Sequence, residues 1–247
     1  MIRNKKNIPI IKKYIKIYFL IIGIQFISYY CLVRIIKNYH PFYKIINDLV
    51  VNNKTIMKIL NLGFIDDQGK FPDYDFLKHI IYIYLGVIYY WYFILPYLFY
   101  KYLDQKEKMQ LYYLFTKTLI ISYIIFIILP LEIPENHMFQ NLDNNKFNTL
   151  NLTNLTNYLL KLTYDLDNPT CICPSLHVLF TYISFVIFRS NNKIPNYIIY
   201  GQMILTILVW ISTFVLKQHF VIDGIISIIL IEIFFYFIKK KKYRIIN

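Results

Sequence analysis

The chain has 247 residues and a formal net charge of +13, and 57% of its residues are hydrophobic while only 17% are charged. Soluble domains carry about 45–50% apolar and about 25% charged residues, so this composition argues against an ordinary soluble domain. The basic residues flank long apolar runs, as in segments 1–16 and 239–244. This distribution is typical of membrane orientation signals and of contact with anionic headgroups, and it argues against a nucleic-acid partner.

Six apolar stretches follow one another along the chain. A membrane-spanning helix needs about 20 mostly apolar residues, and the fourth stretch is short unless it begins inside the protein. We see no internal repeat and no separate soluble domain, so residues 1–247 are predicted to form a single membrane domain. The predicted fold is all-α, a polytopic membrane protein built as a six-transmembrane-helix bundle. The six stretches are Tyr14–Val33, His79–Tyr100, Leu111–Leu131, Pro174–Phe188, Tyr197–Leu216 and His219–Ile238.

The distribution of Lys and Arg predicts the orientation of the bundle. These residues collect at the amino terminus, after the second and fourth stretches and in the carboxy-terminal tail, which an even number of spans places on one side. The connection at 132–173 carries mostly acidic charges, and the mixed segment 34–78 is predicted to form loops or short interfacial helices. We therefore predict an integral, multi-pass protein with cytoplasmic termini and with these two connections on the lumenal or extracytoplasmic side.

Ionisable residues within the stretches are rare, and three of them cluster near the predicted outer face. Because such a residue is costly in a bilayer, it is a functional candidate by default. His177 lies just inside the fourth stretch, and His219 and Asp223 lie at the start of the sixth. Residues four apart share a helix face, so the Asp223 carboxylate can accept the Nδ1–H of His219 and leave Nε2 as a nucleophile. A polar pair that joins two helices explains these two residues equally well.

A second pattern lies at the start of the fourth stretch, in the tetrapeptide 174–177. Pro174 and Ser175 are typical of a helix amino terminus, whose free N–H groups bind anions. The Ser175 hydroxyl and the His177 imidazole can there bind a phosphoryl oxygen and protonate a leaving oxygen. A capped helix with an incidental histidine explains the tetrapeptide alone. Both histidines, however, begin helices on the same side, which favours a phosphate site between them.

These two patterns carry a family resemblance. Pro-Ser-Leu-His at 174–177, followed by Ser-x6-His-x3-Asp at 212–223, resembles the type 2 phosphatidic acid phosphatase superfamily. The motifs of that superfamily are K-x6-R-P, P-S-x-H and S-R-x5-H-x3-D, on six spans. The form seen here is similar to the branch that contains inositol phosphorylceramide synthases and related inositolphosphotransferases. The resemblance is good from residue 111 onward, so residues 111–238 are predicted to form the catalytic core.

The resemblance implies a role for the residues of the last two motifs. His219 would attack phosphorus and form a phosphohistidine, while Asp223 orients and charges its imidazole. His177 would protonate the leaving alkoxide and later deprotonate the acceptor, which is water or an alcohol. Ser175 would contact the phosphoryl oxygens of a phospholipid or sphingolipid substrate. The resemblance implies no metal and no other cofactor.

The chain departs from the family motifs at the positions of their basic residues. Thr213 replaces the arginine of the third motif, and the region 130–136 has no arginine and lacks the lysine that should precede it. Since phosphate favours charge-assisted hydrogen bonds, we predict that Lys217 and Ser212 bind the substrate phosphate together with the serine of the second motif. His137 is a weaker replacement. Lys217 is equally well explained as a lysine that snorkels to the membrane surface.

Two functional predictions follow from the sequence. The first is a membrane lipid phosphatase or phosphotransferase that works through a phosphohistidine, with the balance towards headgroup transfer of the inositolphosphotransferase type. The second is a catalytically degenerate, non-enzymatic membrane protein that keeps the fold. The cysteines add no metal motif, and either Cys31 pairs with Cys171 or Cys173 or all three are free thiols.

Overall fold

The computed structural model describes residue 23 and residues 27–63, 75–133, 138–139, 152–166 and 172–246. Within these ranges the chain forms helices and short connections, and none of them contains a β-strand. Helices satisfy their own backbone hydrogen bonds, which a chain in lipid must do without help from water. The all-α part of the fold prediction is confirmed.

The described helices are numbered α1 to α10 in chain order. The first three are α1 at residues 27–39, α2 at Tyr43–Asn52 and α3 at Lys54–Leu60. A 3-10 turn at Asp75–Ile80 leads into α4, Ile81–Tyr89, which a π-helical turn at Tyr90–Ile94 joins to α5, Leu95–Tyr102. The others are α6 at Gln105–Ile128, α7 at Leu152–Leu166, α8 at Leu176–Arg189, α9 at Asn196–Val215 and α10 at Val221–Ile246.

Four helical stretches are long and apolar enough to cross a membrane, which indicates an integral membrane protein. They agree with the second, third, fifth and sixth predicted spans. The first predicted span, Tyr14–Val33, lies mostly outside the described residues, and the fourth corresponds to α8, which has 14 residues. The number of six spans therefore stays a prediction. The four stretches are Phe76–Tyr102, Gln105–Ile128, Asn196–Val215 and Val221–Lys240.

α8 is the central helix of the bundle. It packs against α6, α9 and α10, and its side chains are buried along most of its length, from Leu176 to Phe188. A helix enclosed by other helices does not need the apolar length of a helix that faces lipid. The position of α8 also carries its amino-terminal residues, among them His177, into the interior of the protein.

The amino termini of α8 and α10 lie side by side. Ser175 caps α8, and its hydroxyl accepts the Val178 N–H at 3.5 Å. The Ser175 N–H donates to the Asp223 carbonyl oxygen at 3.3 Å, and Ser227 Oγ donates to the Ser175 carbonyl oxygen at 2.9 Å. These bonds tie the chain before α8 to the first two turns of α10, so the two helix starts have fixed relative positions.

The turn between α9 and α10 is held by main-chain bonds. Lys217 has a φ of +58°, a left-handed conformation that often ends a helix and that suits glycine better than an L-residue. The N–H groups of the next two residues donate to the Thr213 carbonyl oxygen at 3.0 and 3.3 Å. Asp223 Oδ2 accepts the Phe220 N–H at 2.8 Å at the start of α10. This geometry places His219 in the turn before α10 rather than on the helix itself.

α7 lies in the connection 132–173, for which we predicted no helix. Within Leu152–Leu166 leucine recurs every three or four residues, which is the apolar period of an amphipathic helix and the signal that the sequence offered. Leu160 belongs to a buried cluster with Ile81 and Leu216, and Tyr164 Oη donates to the Leu216 carbonyl oxygen at 2.8 Å. α7 therefore covers the turn that carries Lys217 and the following histidine.

Candidate active site

His177 and His219, the two histidines predicted to flank a phosphate, are in contact. His177 Nδ1 lies 3.3 Å from His219 Nε2, and the two rings meet edge to face with their centroids 5.5 Å apart. His219 is 7% exposed, whereas His177 is half-buried. The fold therefore brings together two imidazoles that are 42 residues apart in the chain.

His219 is held at its other nitrogen by a carbonyl oxygen and a carboxyl group. Its Nδ1 lies 2.9 Å from the Ile172 carbonyl oxygen and 3.5 Å from Asp223 Oδ2. A carbonyl oxygen can only accept a hydrogen bond, so Nδ1 carries the hydrogen and, in the neutral ring, Nε2 carries the lone pair. The helical spacing predicts that Asp223 accepts this bond. In the structure His219 precedes α10, and the nearer partner is the Ile172 carbonyl.

Asp223 is fully buried at the start of α10. Its Oδ2 accepts the Phe220 N–H, and its Oδ1 has no nitrogen or oxygen donor among the described residues. Burial, together with the charge and hydrogen bonding of Asp223, raises the pKa of the neighbouring Cys173 thiol, which therefore stays neutral. Cys173 and the exposed Cys31 are free, and Cys171 lies outside the described residues.

The two serines predicted to bind phosphate both have buried hydroxyls. Ser175 caps α8, so it lies at the helix start that carries His177. Ser212 Oγ donates to the Val209 carbonyl oxygen at 2.8 Å, within its own helix. A hydroxyl that donates one bond can still accept others. The described hydrogen bonds thus connect Ser175 to the start of α10, whereas they connect Ser212 to α9 and to Leu216, which follows it.

Lys217 is buried inside the protein. It is 3% exposed, and its Nζ lies 4.2 Å from the centroid of the Phe139 ring in a cation–π contact. Lys78 approaches the same ring at 5.7 Å. Snorkelling does not explain so buried a lysine, so Lys217 remains a candidate phosphate ligand two residues before His219. His137 lies outside the described residues.

His177 is contacted by two aromatic residues, Tyr84 and Trp91, that were not identified as site residues from the sequence. Tyr84 Oη lies 2.7 Å from His177 Nε2, and the Trp91 ring stacks on the His177 ring with centroids 5.9 Å apart and 24° between the planes. The chain has 25 tyrosines, and aromatic residues are common at membrane interfaces. Composition therefore does not distinguish these two residues from the other aromatic residues. Their spacing of seven residues, which places them on one helix face, is the signal that the sequence offers.

Gln218 is a further buried polar residue that the sequence did not single out. Neither end of its side-chain amide has a hydrogen-bond partner in the part of the chain that the structure describes. A buried amide without partners costs about 1–3 kcal/mol. Because Gln218 directly precedes His219 in the turn, its amide is a candidate for binding a polar group of a ligand.

The arrangement of the two imidazoles suits nucleophilic attack combined with proton transfer. His219 presents a lone pair on Nε2, and His177 presents a ring nitrogen beside it. The amino terminus of α8 next to them favours a bound anion. Among the described residues, no group of three His, Cys, Asp or Glu side chains is placed to hold a metal ion.

Comparison with protein families matches residues 68–237 to the PAP2 superfamily, the type 2 phosphatidic acid phosphatases that the motifs resemble. No curated protein and no solved structure matches the chain. The family acts on phosphate-bearing lipids, and membership suggests a phosphatase or phosphotransferase without distinguishing the inositol phosphorylceramide synthase branch. The match covers more than half of the chain and includes both histidine motifs. The chain therefore belongs to the PAP2 superfamily.

Proposed function

We propose that the chain transfers a phosphate or phospho-headgroup of a membrane lipid through a phosphohistidine on His219, with inositolphosphotransferase-type transfer as the favoured reaction. The contact between the two histidines carries this proposal. His219 Nε2, which holds the lone pair, lies 3.3 Å from His177 Nδ1. Double displacement at phosphorus needs a nucleophile and a proton donor within reach of one phosphate, and this pair supplies both.

The reaction uses the two rings in turn. His219 Nε2 forms a bond to phosphorus, the bond from phosphorus to the leaving alkoxide breaks, and protonated His177 gives that oxygen its proton. His177 then takes a proton from water or from an alcohol, whose oxygen attacks phosphorus and releases His219. A phosphorus atom does not fit between nitrogens 3.3 Å apart, so substrate entry separates the two rings.

The surroundings of His219 favour the charged intermediate. A phosphohistidine carries positive charge on its imidazole, and Asp223 Oδ2 lies 3.5 Å from Nδ1, where it stabilises that charge. The bond from Nδ1 to the Ile172 carbonyl keeps Nε2 directed at His177 in the resting site. Charge and orientation at His219 therefore come from two different groups.

The phosphoryl oxygens are proposed to bind Ser175, Ser212 and Lys217, together with the amino terminus of α8. Lys217 is 3% exposed, and a charge in such a low-dielectric setting attracts an anion more strongly than a charge in water does. Lys217 thus takes the role of the arginines that the first and third family motifs carry and that this chain lacks at those positions. The proposal requires no metal and no cofactor.

α10 supports a site on the extracytoplasmic side. The site lies at the amino-terminal end of the stretch Val221–Lys240, and the basic tail 239–244 lies at its other end. A helix of 20 residues is about 30 Å long, which is about the thickness of the hydrocarbon core, and basic ends stay in the cytoplasm. We therefore propose six spans with cytoplasmic termini, and a catalytic core at 111–238 within a single membrane domain of residues 1–247.

An assay on labelled lipids tests the proposal. Purified, detergent-solubilised protein is incubated without divalent metal, either with phosphatidic acid or with phosphatidylinositol and ceramide. His219→Ala removes the nucleophile. His40→Ala is the matched control, because it removes a histidine from the connection between α1 and α2, where the imidazole contacts the Ile127 carbonyl oxygen at 2.8 Å.

The expected result is headgroup transfer to ceramide that His219→Ala lowers on the order of 10³-fold or more and that His40→Ala retains. Release of inorganic phosphate from phosphatidic acid, with the same dependence on His219, would instead establish a lipid phosphatase. Turnover that survives His219→Ala, or no turnover of any of these lipids by the wild type, contradicts the proposal. Absence of turnover by the wild type would favour the catalytically degenerate membrane protein. The absence of the arginines of the first and third family motifs also favours that alternative.

A further inference from the structure

The ring of His177 is contacted at its second nitrogen by the helical stretch Phe76–Tyr102. Tyr84, in α4, is 4% exposed, and its hydroxyl oxygen lies 2.7 Å from His177 Nε2. Trp91, in the π-helical turn that follows, stacks on the same ring. Such π-helical turns occur frequently at functional sites. Both nitrogens of His177 therefore have hydrogen-bond partners, and an indole lies against the face of the ring.

The directions of these hydrogen bonds follow from one carbonyl group. The Ile172 carbonyl oxygen can only accept, so His219 Nδ1 carries a hydrogen and the neutral His219 accepts at Nε2. The bond between the rings must then be donated by His177 Nδ1. A neutral His177 is left with a lone pair on Nε2, to which the Tyr84 hydroxyl donates. The neutral pair thus has one consistent set of tautomers, with the hydrogen on Nδ1 of both rings.

One added proton reverses the bond at Tyr84. When the proton is on His177, both nitrogens of that ring carry hydrogen. When it is on His219, Nε2 of that ring donates to His177 Nδ1, which leaves the hydrogen of His177 on Nε2. In both cases His177 Nε2–H donates to the Tyr84 oxygen. A hydroxyl can donate in one state and accept in the other, and the bond from a charged ring is the stronger of the two.

We propose that Tyr84 is a positioning residue for His177, which fixes the tautomer of the neutral ring and accepts the Nε2–H when the ring is charged. Trp91 holds the plane of the ring. This inference rests on the proposed function, in which His177 is the acid and the base. It also extends the site to α4, which precedes the core proposed from the motifs at 111–238 but lies within the family match at 68–237.

Kinetics of Tyr84→Phe test the proposal, since this change removes the hydroxyl and keeps the ring. Tyr82→Phe is the matched control, because Tyr82 is on the same helix and its hydroxyl lies 3.0 Å from Thr156 Oγ1. Tyr84→Phe is expected to lower kcat on the order of 10- to 100-fold, part of the about 10²–10⁴-fold that a positioned acid or base contributes. KM should stay near its wild-type value, and Tyr82→Phe should keep both constants. Equal losses in the two variants, or a loss confined to KM, overturn the proposal.

Nitrogen NMR provides a readout that does not depend on turnover. The chain has five histidines, so selective ¹⁵N labelling, with His177→Gln and His219→Gln for assignment, resolves the pair. In buffer alkaline enough to keep both rings neutral, wild-type His177 is expected to carry its hydrogen on Nδ1. In Tyr84→Phe, the same ring should show a mixture with the Nε2–H form.

Two NMR results would overturn the role of Tyr84, whatever the lipid assay shows. One is a neutral wild-type His177 that carries its hydrogen on Nε2. This measurement uses the wild type alone, so it does not depend on whether a variant folds. The other is a His177 signal that is identical in Tyr84→Phe and in the wild type. The two experiments are separable. If the protein turns over none of the lipids but gives the expected NMR signals, the proposed function is contradicted and the positioning of His177 by Tyr84 is still supported.

Discussion

Two carboxyl groups on α10, those of Asp223 and Glu232, have opposite surroundings. Glu232 accepts hydrogen bonds from Arg189 Nη2 at 2.7 and 2.6 Å and from Tyr182 Oη at 2.5 Å. Asp223 is fully buried, and its Oδ1 has no nitrogen or oxygen donor in the described part of the chain. Its Oδ2 lies 3.5 Å from His219 Nδ1.

Under the proposed function, the comparison separates a structural carboxylate, Glu232, from one that serves the reaction, Asp223. Glu232 has a permanent cation in Arg189, so its interactions are complete in the resting fold, where they join α8 to α10. Asp223 gains a cationic neighbour only when His219 is protonated or phosphorylated. Natural proteins rarely leave a buried polar atom without a partner, and a functional role is one explanation when they do. Among the described residues Asp223 is contacted by the Phe220 N–H and the Cys173 thiol, and under the proposed function it gains a cationic neighbour when His219 becomes charged.

Among the substitutions that test this comparison, Asp223→Asn has the largest expected effect. The amide keeps the shape and can still accept the Phe220 N–H, but it removes the negative charge beside His219. Because the Ile172 carbonyl still holds Nδ1–H, the tautomer is retained and only the charge stabilisation is lost. We expect kcat to fall about 10²–10³-fold with little change in Tm. Steady-state kinetics and thermal unfolding in detergent measure both, and an unchanged kcat would show that Asp223 does not stabilise the intermediate.

A smaller loss is expected for Lys217→Met, which keeps the length of the side chain and removes its charge. If Lys217 binds the phosphoryl group, the loss of one charged hydrogen bond, about 1.5–3 kcal/mol, lowers kcat/KM roughly 10- to 100-fold. Lys193→Met is the control, because Lys193 is exposed and its Nζ lies 3.7 Å from Asp104. Equal activity of the two variants would show that the Lys217 charge does not bind the phosphoryl group.

Glu232→Gln should show the reverse of the Asp223→Asn result. The substitution removes the anion that faces Arg189 and weakens the bond from Tyr182, so the joint between α8 and α10 loosens. We expect a loss of about 1–3 kcal/mol in stability, visible as a lower Tm, with kcat close to the wild type. A variant that keeps its Tm but loses activity would place Glu232 in the reaction and remove the contrast with Asp223.

Features that depend on a short stretch of sequence could be predicted. The lipid core sets a minimum apolar length, so four predicted spans overlap four helical stretches over most of their length. His177 lies at a helix start that the Ser175 cap marks in the sequence, and both histidines are costly ionisable residues at the ends of apolar stretches. These local signals were enough to identify the histidine pair and the superfamily.

The partners of these histidines could not be predicted, because they come from elsewhere in the chain. Tyr84 is 93 residues from His177, and it is one tyrosine among 25. The nearest partner of His219 Nδ1 is a main-chain carbonyl, that of Ile172, which has no side-chain signature. The Nζ of Lys217 contacts the ring of Phe139, which is 78 residues earlier in the chain. Tertiary packing decides these contacts, and a single sequence does not record it.

The smallest effect is expected at Gln218, and it tests whether unused hydrogen-bonding capacity marks a ligand contact. Gln218 and Gln202 are both 2% exposed. The Gln202 amide donates to the Thr181 carbonyl oxygen at 3.0 Å and accepts the Tyr90 hydroxyl, whereas the Gln218 amide has no partner among the described residues. Two glutamines of equal burial therefore differ in whether the described residues supply hydrogen-bond partners for the side-chain amide.

Gln218→Leu should raise KM roughly 3- to 10-fold, about 1 kcal/mol of binding, if its amide holds a polar group of the lipid or acceptor. Its Tm should stay level or rise, because leucine replaces a buried amide that has no partner among the described residues. Gln202→Leu should instead lower the Tm and leave KM unchanged. A fall in Tm for Gln218→Leu as large as that for Gln202→Leu would mean that the fold already satisfies the Gln218 amide. The residue before the nucleophile would then be structural, and selection of the lipid headgroup would have to come from other residues around the site.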